Sequence, residues 1–181
     1  MRTEVRLSGR GGQGLILAGI VLAEACGVYE EKEVVQTQSY GPEARGGASR
    51  SEVVISDQQI RYPRAYDPDI LVALSQPAFD RFAPQVKKKG LIFADSFYVH
   101  TDRKDVILMP FSETAREELG REVVTNVLML GVLSAATGIV KLDSLKKAIK
   151  HRVRRAFVEL NLKALDVGFK LGQEEWRKRS S

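Results

Sequence analysis

The chain has 181 residues, 44% apolar and 28% charged, which is the make-up of an ordinary globular domain and excludes a disordered or fibrous chain. Its formal net charge of +5 admits phosphate, RNA or acidic-protein partners without choosing among them. One cysteine, Cys26, excludes an internal disulfide and a cluster held by several thiolates of this chain.

Thr3–Ser8 alternates polar and apolar side chains and predicts a first strand. Gly9-Arg10-Gly11-Gly12-Gln13-Gly14 follows, with Gly9, Gly11 and Gly14 at the G-x-G-x-x-G spacing. The apolar run Leu15–Val21 then opens a helix predicted over about residues 13–26, with Gly27 as its C-terminal cap. Within that helix, Cys26 among Leu22, Ala23 and Ala25 predicts a buried thiol. A second strand near Glu33–Gln38 completes a strand–helix–strand start. Residues 39–50 hold three glycines, a proline and two arginines, and are expected to be irregular throughout.

Ser51–Ser56 reads as a strand that Asp57-Gln58-Gln59 turns back into Ile60-Arg61-Tyr62, a hairpin. Pro63–Asp69 connects to Ile70–Leu74, an apolar strand of the kind covered on both faces. Ser75 caps a helix with Pro77 in its first turn, running to about Lys87. Leu91–Ala94 and Val106–Met109 are the remaining strands. Beyond Ser112 the pattern is helical. Thr114 and Glu117 are spaced as a capping box, and Glu122–Ala136 is apolar nearly all round, hence buried, until Thr137-Gly138 ends it. Leu142, Leu145 and Ile149 mark a short helix. Phe157, Leu160, Ala164, Val167 and Leu171 mark an amphipathic one over 154–172, with a frayed tail from Trp176. The predicted fold is α/β: a Rossmann-like mixed sheet flanked by helices on both faces, with a helical C-terminal part, as one domain over residues 1–181. No leader is visible before the first strand, and no apolar run reaches the roughly 20 residues of a membrane span. A cytoplasmic protein that engages neither membrane nor nucleic acid is expected.

A strand, a glycine turn and a helix N-terminus make an anion site, because the first N–H groups of a helix lack intrahelical partners and the dipole favours negative charge. An ordinary dinucleotide site also needs an acid at the end of the second strand to bind the ribose. That end reads Gln36-Thr37-Gln38-Ser39, with Glu33 at the wrong end, so ordinary NAD binding is disfavoured. The loop 39–50 offers Arg45 and Arg50 as forked phosphate partners, and Gly46-Gly47 permits close approach. Catalytic machinery is missing. His100 and His151 sit in no triad, and no metal-binding spacing occurs. Asp95 at a strand end reads as a turn or cap carboxylate, Asn126 as a structural hydrogen-bonding residue, and the basic cluster 150–155 as a solvated helix junction rather than an RNA site.

Ser8–Gly14, Tyr40–Gly47, Ser51-Glu52-Val53-Val54-Ile55-Ser56-Asp57 and Asp69–Leu74 together resemble the gamma subunit of 2-oxoacid:ferredoxin oxidoreductases. The similarity resumes at Asn126, Leu130-Gly131, Thr137-Gly138, Asn161, Ala164 and Gly168. The resemblance implies a complex that oxidatively decarboxylates a 2-oxoacid to acyl-CoA and CO2 and passes electrons to ferredoxin. Thiamine diphosphate, Mg2+ and iron–sulfur clusters are then expected on the partner alpha, beta and ferredoxin-like delta subunits. The expected tasks of this chain are assembly and help in binding coenzyme A. Gly9, Gly11, Gly12, Gln13 and Gly14 would supply backbone contacts, Arg45 a phosphate partner, and Tyr40, Glu43, Gly46, Gly47 and Ser49 the shape of the loop. A short separate chain without a fused cluster domain suits 2-oxoglutarate synthase among enzymes that also act on pyruvate and 2-ketoisovalerate. The isolated chain could pair with a second copy. The alternative is a stand-alone NAD(P)-binding oxidoreductase.

Overall fold

A computed structural model describes residues 1–39 and 48–180, the last two by backbone alone. Strand β1 (Arg2–Gly9) leads through the glycine turn into α1 (Leu15–Val28), followed by β2 (Glu33–Gln38), β3 (Ser49–Ser56) and β4 (Ile70–Ala73). Helix α2 (Gln76–Phe82), β5 (Leu91–Asp95) and β6 (Val106–Met109) come next. The chain ends in α3 (Phe111–Leu119), α4 (Thr125–Thr137), α5 (Leu142–Arg152) and α6 (Val158–Ser180).

Among the described residues the sheet has six strands in the order β2-β3-β1-β4-β5-β6. β1, β4, β5 and β6 run parallel, and β3 runs against both β1 and β2. The alternation along each strand decides which side chain meets which layer. Val5, Leu7, Val53, Ile55, Val72 and Phe93 join the large core under α1, α3, α4, α5 and α6. Leu71, Ala73, Ile92 and Ala94 join a smaller core under α2. The predicted mixed sheet with helices on both faces is therefore present, with the helices divided unequally. On the α2 face β1 carries Arg6, whose guanidinium binds Glu52 at 2.7 Å, Gln85 and the Ala65 carbonyl, and lies 5.0 Å from the Phe82 ring. That buried pair is held by several partners, as a charge out of water requires.

Helix α4 is apolar all round because helices cover it on several sides. Its contact with α6 is backbone-close. A Cβ on Gly168 would stand 1.9 Å from the Leu128 carbonyl oxygen, so only glycine allows the approach. Gly138 ends α4 in the left-handed region at φ 65°, as expected.

Several predicted details give way. Residues 60–62 form no strand, since β3 already pairs with β1 on one edge and β2 on the other, leaving no edge for a hairpin. The Arg2 guanidinium instead bonds the carbonyls of Tyr62 and Arg64. Ser49 and Arg50 are regular strand, drawn into β3 by pairing with Gly9 and Ser8. Helix α1 starts at Leu15 and runs through Gly27; the turn after it uses Glu31 at φ 56°. The Thr114/Glu117 box does not cap α3, which begins three residues before Thr114. Asp95 supplies that cap from β5, accepting from the Ser112 N–H and hydroxyl at 3.1 Å each. Helix α2 stops at Phe82 with a 3-10 turn to Gln85, and α6 stays helical to Ser180 instead of fraying from Trp176. Cys26 is fully buried, and burial pushes its thiol up to about 12. No helix among the described residues is long and apolar enough to cross a membrane.

Candidate functional site

The glycine turn lies at the C-terminal end of β1, where open α/β sheets place their ligand crevices. Gly14 takes φ 73° as the residue before α1. A Cβ there would sit 2.4 Å from Asn126 Nδ2, and that amide donates to the Gly14 carbonyl at 3.0 Å. Asn126 is thus the structural residue the sequence predicted, pinning the turn to α4. The Gln13 side chain folds back inside the turn. Its Oε1 accepts from the Arg10 N–H at 2.6 Å, and its Nε2 donates to the Leu74 carbonyl at 3.3 Å. The Gln13 N–H itself closes on the Arg10 carbonyl. Gly9 fits beneath it, since a Cβ there would meet Gln13 Oε1 at 2.3 Å. Gly11 and Gly12 form the exposed crest of the turn, with open space around both.

Beside this crest is a cleft of about 360 Å³ lined by Arg10, Gly11, Gly12, Gln13, Glu122, Val123 and Thr125. Thr125, the first residue of α4, lines it, so the dipole of that helix favours negative charge there. The Arg10 guanidinium lies 4.7 Å from the centre of the Tyr98 ring. The Tyr98 hydroxyl donates to Glu122 at 2.6 Å, and Arg116 bonds the other Glu122 oxygen at 2.7 Å while covering the Phe97 ring at 4.3 Å. Burial alone would raise the Glu122 carboxyl, but the bonds from Tyr98 and Arg116 and the charges of Arg116 and Arg10 hold it below the usual range. It is therefore ionised at neutral pH. Two guanidinium groups against one carboxylate leave the cluster positive by one charge.

Asp95 positions this cluster without entering the cleft. Besides capping α3, which carries Arg116, it accepts from the Phe97 N–H at 3.1 Å and so fixes the turn that presents Phe97 and Tyr98. Burial raises its carboxyl despite those donors. The turn-and-cap reading of this residue holds.

Ser49 pairs with Gly9 in the β1–β3 register, and the Ser39 N–H bonds the Arg50 carbonyl at 3.0 Å. The chain thus leaves the sheet at Ser39 and re-enters it at Ser49 on the same end as the glycine turn. Tyr40, Glu43, Arg45, Gly46 and Gly47 lie outside the described residues. Arg50 reaches Glu52 at 3.4 Å and the Phe82 ring, on the α2 face. The register adds a second reason against an ordinary dinucleotide site. Antiparallel β3 separates β2 from β1, so even an acid at the end of β2 would stand two strand spacings, roughly 10 Å, from the turn.

Arg10, Tyr98, Arg116 and Glu122 are site residues that no motif in the chain marks. Arg10 carried a visible signal, a cation inside a glycine turn. The others converge from the turn after β5, α3 and the turn before α4, which no local pattern joins. The two histidines lie apart from the cleft: His100 is exposed, and His151 Nδ1 contacts Glu24 of α1 at 2.7 Å. Arg152 bonds the same carboxylate, so the 150–155 cluster is a helix junction anchored by a buried acid as well as solvated. No cluster of metal-binding side chains occurs among the described residues.

Residues 4–171 match the family model described as pyruvate ferredoxin/flavodoxin oxidoreductase. The chain is 49% identical over 179 residues to 2-oxoglutarate synthase subunit KorC of Methanocaldococcus jannaschii, covering 96% of each chain. Among solved structures it resembles the gamma subunit of a keto/oxoacid ferredoxin oxidoreductase from Geobacter sulfurreducens, with TM-score 0.85, 44% identity, and coverage of 95% of this chain and 99% of that one. It shares its fold, at TM-score 0.82 and 24% identity, with part of a 2-oxoglutarate:ferredoxin oxidoreductase from Magnetococcus marinus, covering 96% of this chain and 31% of that one.

Proposed function

The chain belongs to the pyruvate ferredoxin/flavodoxin oxidoreductase family as a gamma subunit of the 2-oxoglutarate:ferredoxin oxidoreductase type, and from that premise we propose that it holds the phosphates of coenzyme A in its glycine-turn cleft. The observation that carries this reading is the cleft's charge. The N-terminus of α4, the open crest of Gly11 and Gly12, and the Arg10 side chain face one space, and Arg10 is the cation left over once Arg116 is set against Glu122. A pyrophosphate bears the opposite charge and accepts hydrogen bonds from both kinds of donor. Arg45, with Tyr40, Glu43, Gly46 and Gly47, stands in the segment between Ser39 and Ser49 and is assigned to a further phosphate.

Bound coenzyme A supplies the thiol that receives the acyl group in a complex that oxidatively decarboxylates 2-oxoglutarate. This chain orients the phosphates at one end of that acceptor. The thiamine diphosphate, Mg2+ and iron–sulfur clusters are assigned to alpha, beta and ferredoxin-like delta subunits, a reading supported by the single cysteine of this chain, Cys26, which is buried. Electrons leave to ferredoxin, and a cytoplasmic complex is the natural setting. The stand-alone NAD(P) reading is dropped, because the relatives are subunits of oxoacid oxidoreductases and β3 displaces the ribose position.

The test is coenzyme A binding by the assembled complex carrying Arg10→Ala. Loss of one charge-assisted contact, about 1.5–3 kcal/mol, corresponds to a roughly 10- to 150-fold weaker Kd. Assembly should be normal. An unchanged Kd removes Arg10 and the cleft from the phosphate site.

A further inference from the structure

Next to the phosphate cleft is a second hollow, of about 410 Å³, of different character. Its walls are apolar: Leu17 of α1, Val123 and Val124 before α4, Val153 after α5, and Phe157 and Leu160 at the start of α6. Val123 is 69% exposed and Phe157 48% exposed, which is unusual for large apolar side chains gathered at one place. Its floor holds Asn126 and Asn161, both more than nine-tenths buried. Each spends its amide N–H inward, on the Gly14 and Phe157 carbonyls, and the two amide oxygens accept from no donor among the described residues. The rim holds Arg121, Arg152 and Arg154. Arg152 is committed to Glu24, whereas Arg121 and Arg154 make no ion pair among the described residues.

We propose that this hollow seats another subunit of the oxidoreductase complex, through an apolar side chain flanked by carboxylates. The apolar walls take the side chain, Arg121 and Arg154 take the carboxylates, and the two asparagine oxygens take N–H or O–H donors. An apolar pocket rimmed by arginine is the pattern of an interface hot spot, and charge at the rim steers the encounter. The position gives docking a second consequence. Val123 lines both this hollow and the phosphate cleft, so a subunit seated here also walls the cleft. The inference rests on the gamma-subunit reading and extends it to which face meets the complex.

The experiment uses the complex reconstituted from the purified chain and its co-expressed partner subunits. Arg121→Glu with Arg154→Glu should weaken association of the chain with those subunits at least tenfold and flatten its dependence on salt. Both side chains are exposed, so the fold should be retained, as far-UV circular dichroism will check. Val123→Asp should weaken association similarly. Arg61→Glu with Arg64→Glu, beside Arg2 at the opposite end of β1, serves as the control and should leave association unchanged. Unchanged association in the first two variants overturns the proposal. So does loss of association confined to the control pair, or loss only of self-association of the isolated chain, which would make the occupant a second copy. The outcomes separate from the coenzyme A reading. Normal coenzyme A affinity in an assembled Arg10→Ala complex refutes the phosphate site alone, and unimpaired assembly of the Arg121/Arg154 variant refutes the docking face alone.

Discussion

Replacing Gly14 by alanine strikes the turn at two points that the structure separates. The first is backbone: at φ 73° an L-residue strains by about 1–2 kcal/mol. The second is contact: the new Cβ would meet Asn126 Nδ2 at 2.4 Å, so the amide must move and lose its bond to the Gly14 carbonyl, worth about 1 kcal/mol, inside a buried site. The sum is about 2–3 kcal/mol. For a chain of this length that lowers Tm by roughly 4–12 °C. Urea unfolding of the purified chain would measure the loss, and a double-mutant cycle with Asn126→Ala would divide it. Once Asn126 is truncated the clash is gone, and Gly14→Ala should cost only the backbone part, about 1–2 kcal/mol. A loss below about 0.5 kcal/mol for Gly14→Ala, or strict additivity with Asn126→Ala, would refute the idea that α4 pins the turn through this amide.

Glu24→Gln removes the carboxylate that joins α1 to His151 and Arg152 of α5, with the Tyr29 hydroxyl 3.3 Å away. Because both cations are exposed and can return to water, the loss should be modest, about 1–2 kcal/mol by thermal unfolding. Burial pushes the Glu24 carboxyl up, but its bonds to Arg152 and His151 outweigh that and hold it below the ordinary range. Its contribution is therefore complete above the unfolded value near 4.3 and fades as pH falls through the lower folded value, so wild type and variant should converge in acid. Convergence on raising pH instead would contradict the assignment. Cys26, buried and with its thiol raised to about 12, should resist a thiol reagent at pH 8 in the folded chain and react once urea unfolds it. Gly168→Ala should separate α6 from α4 and cost about 3 kcal/mol or more, seen as a large drop in Tm or in soluble yield.

Much of the architecture was legible along the chain. The alternation of Thr3–Ser8, the apolar run Ile70–Leu74 and the steps of 3 and 4 from Leu160 to Leu171 are local records of which faces are buried; β1 and β4 form where they indicate, while the helix expected from residue 154 begins at Val158 and leaves Phe157 exposed in the 3-10 turn before it. Ser75 caps α2 as its type predicts, accepting from the Ala78 N–H at 3.3 Å. The failures fell where a distant partner overrode local chemistry. Ile60-Arg61-Tyr62 has strand-like residues but no free edge to join. Thr114 and Glu117 have capping spacing, yet Asp95 already caps α3 from another strand. Gly27 resembles a helix stop, but α1 continues past it.

The succession of strand, glycine turn and helix, the lack of an acid after β2, and the structural role of Asn126 are all written locally in the chain. These follow from residue type and spacing, because backbone conformation and burial are set within a few residues. What surrounds the turn depends on how distant segments pack. Placing β3 between β1 and β2 is a choice of pairing partners that no single strand encodes. The set of Arg10, Tyr98, Glu122 and Arg116 arises because β5, α3 and the turn before α4 end at one side of the sheet. The charge of the cleft is thus a sum over segments far apart in the chain, and it takes one sign only once the fold has brought them together.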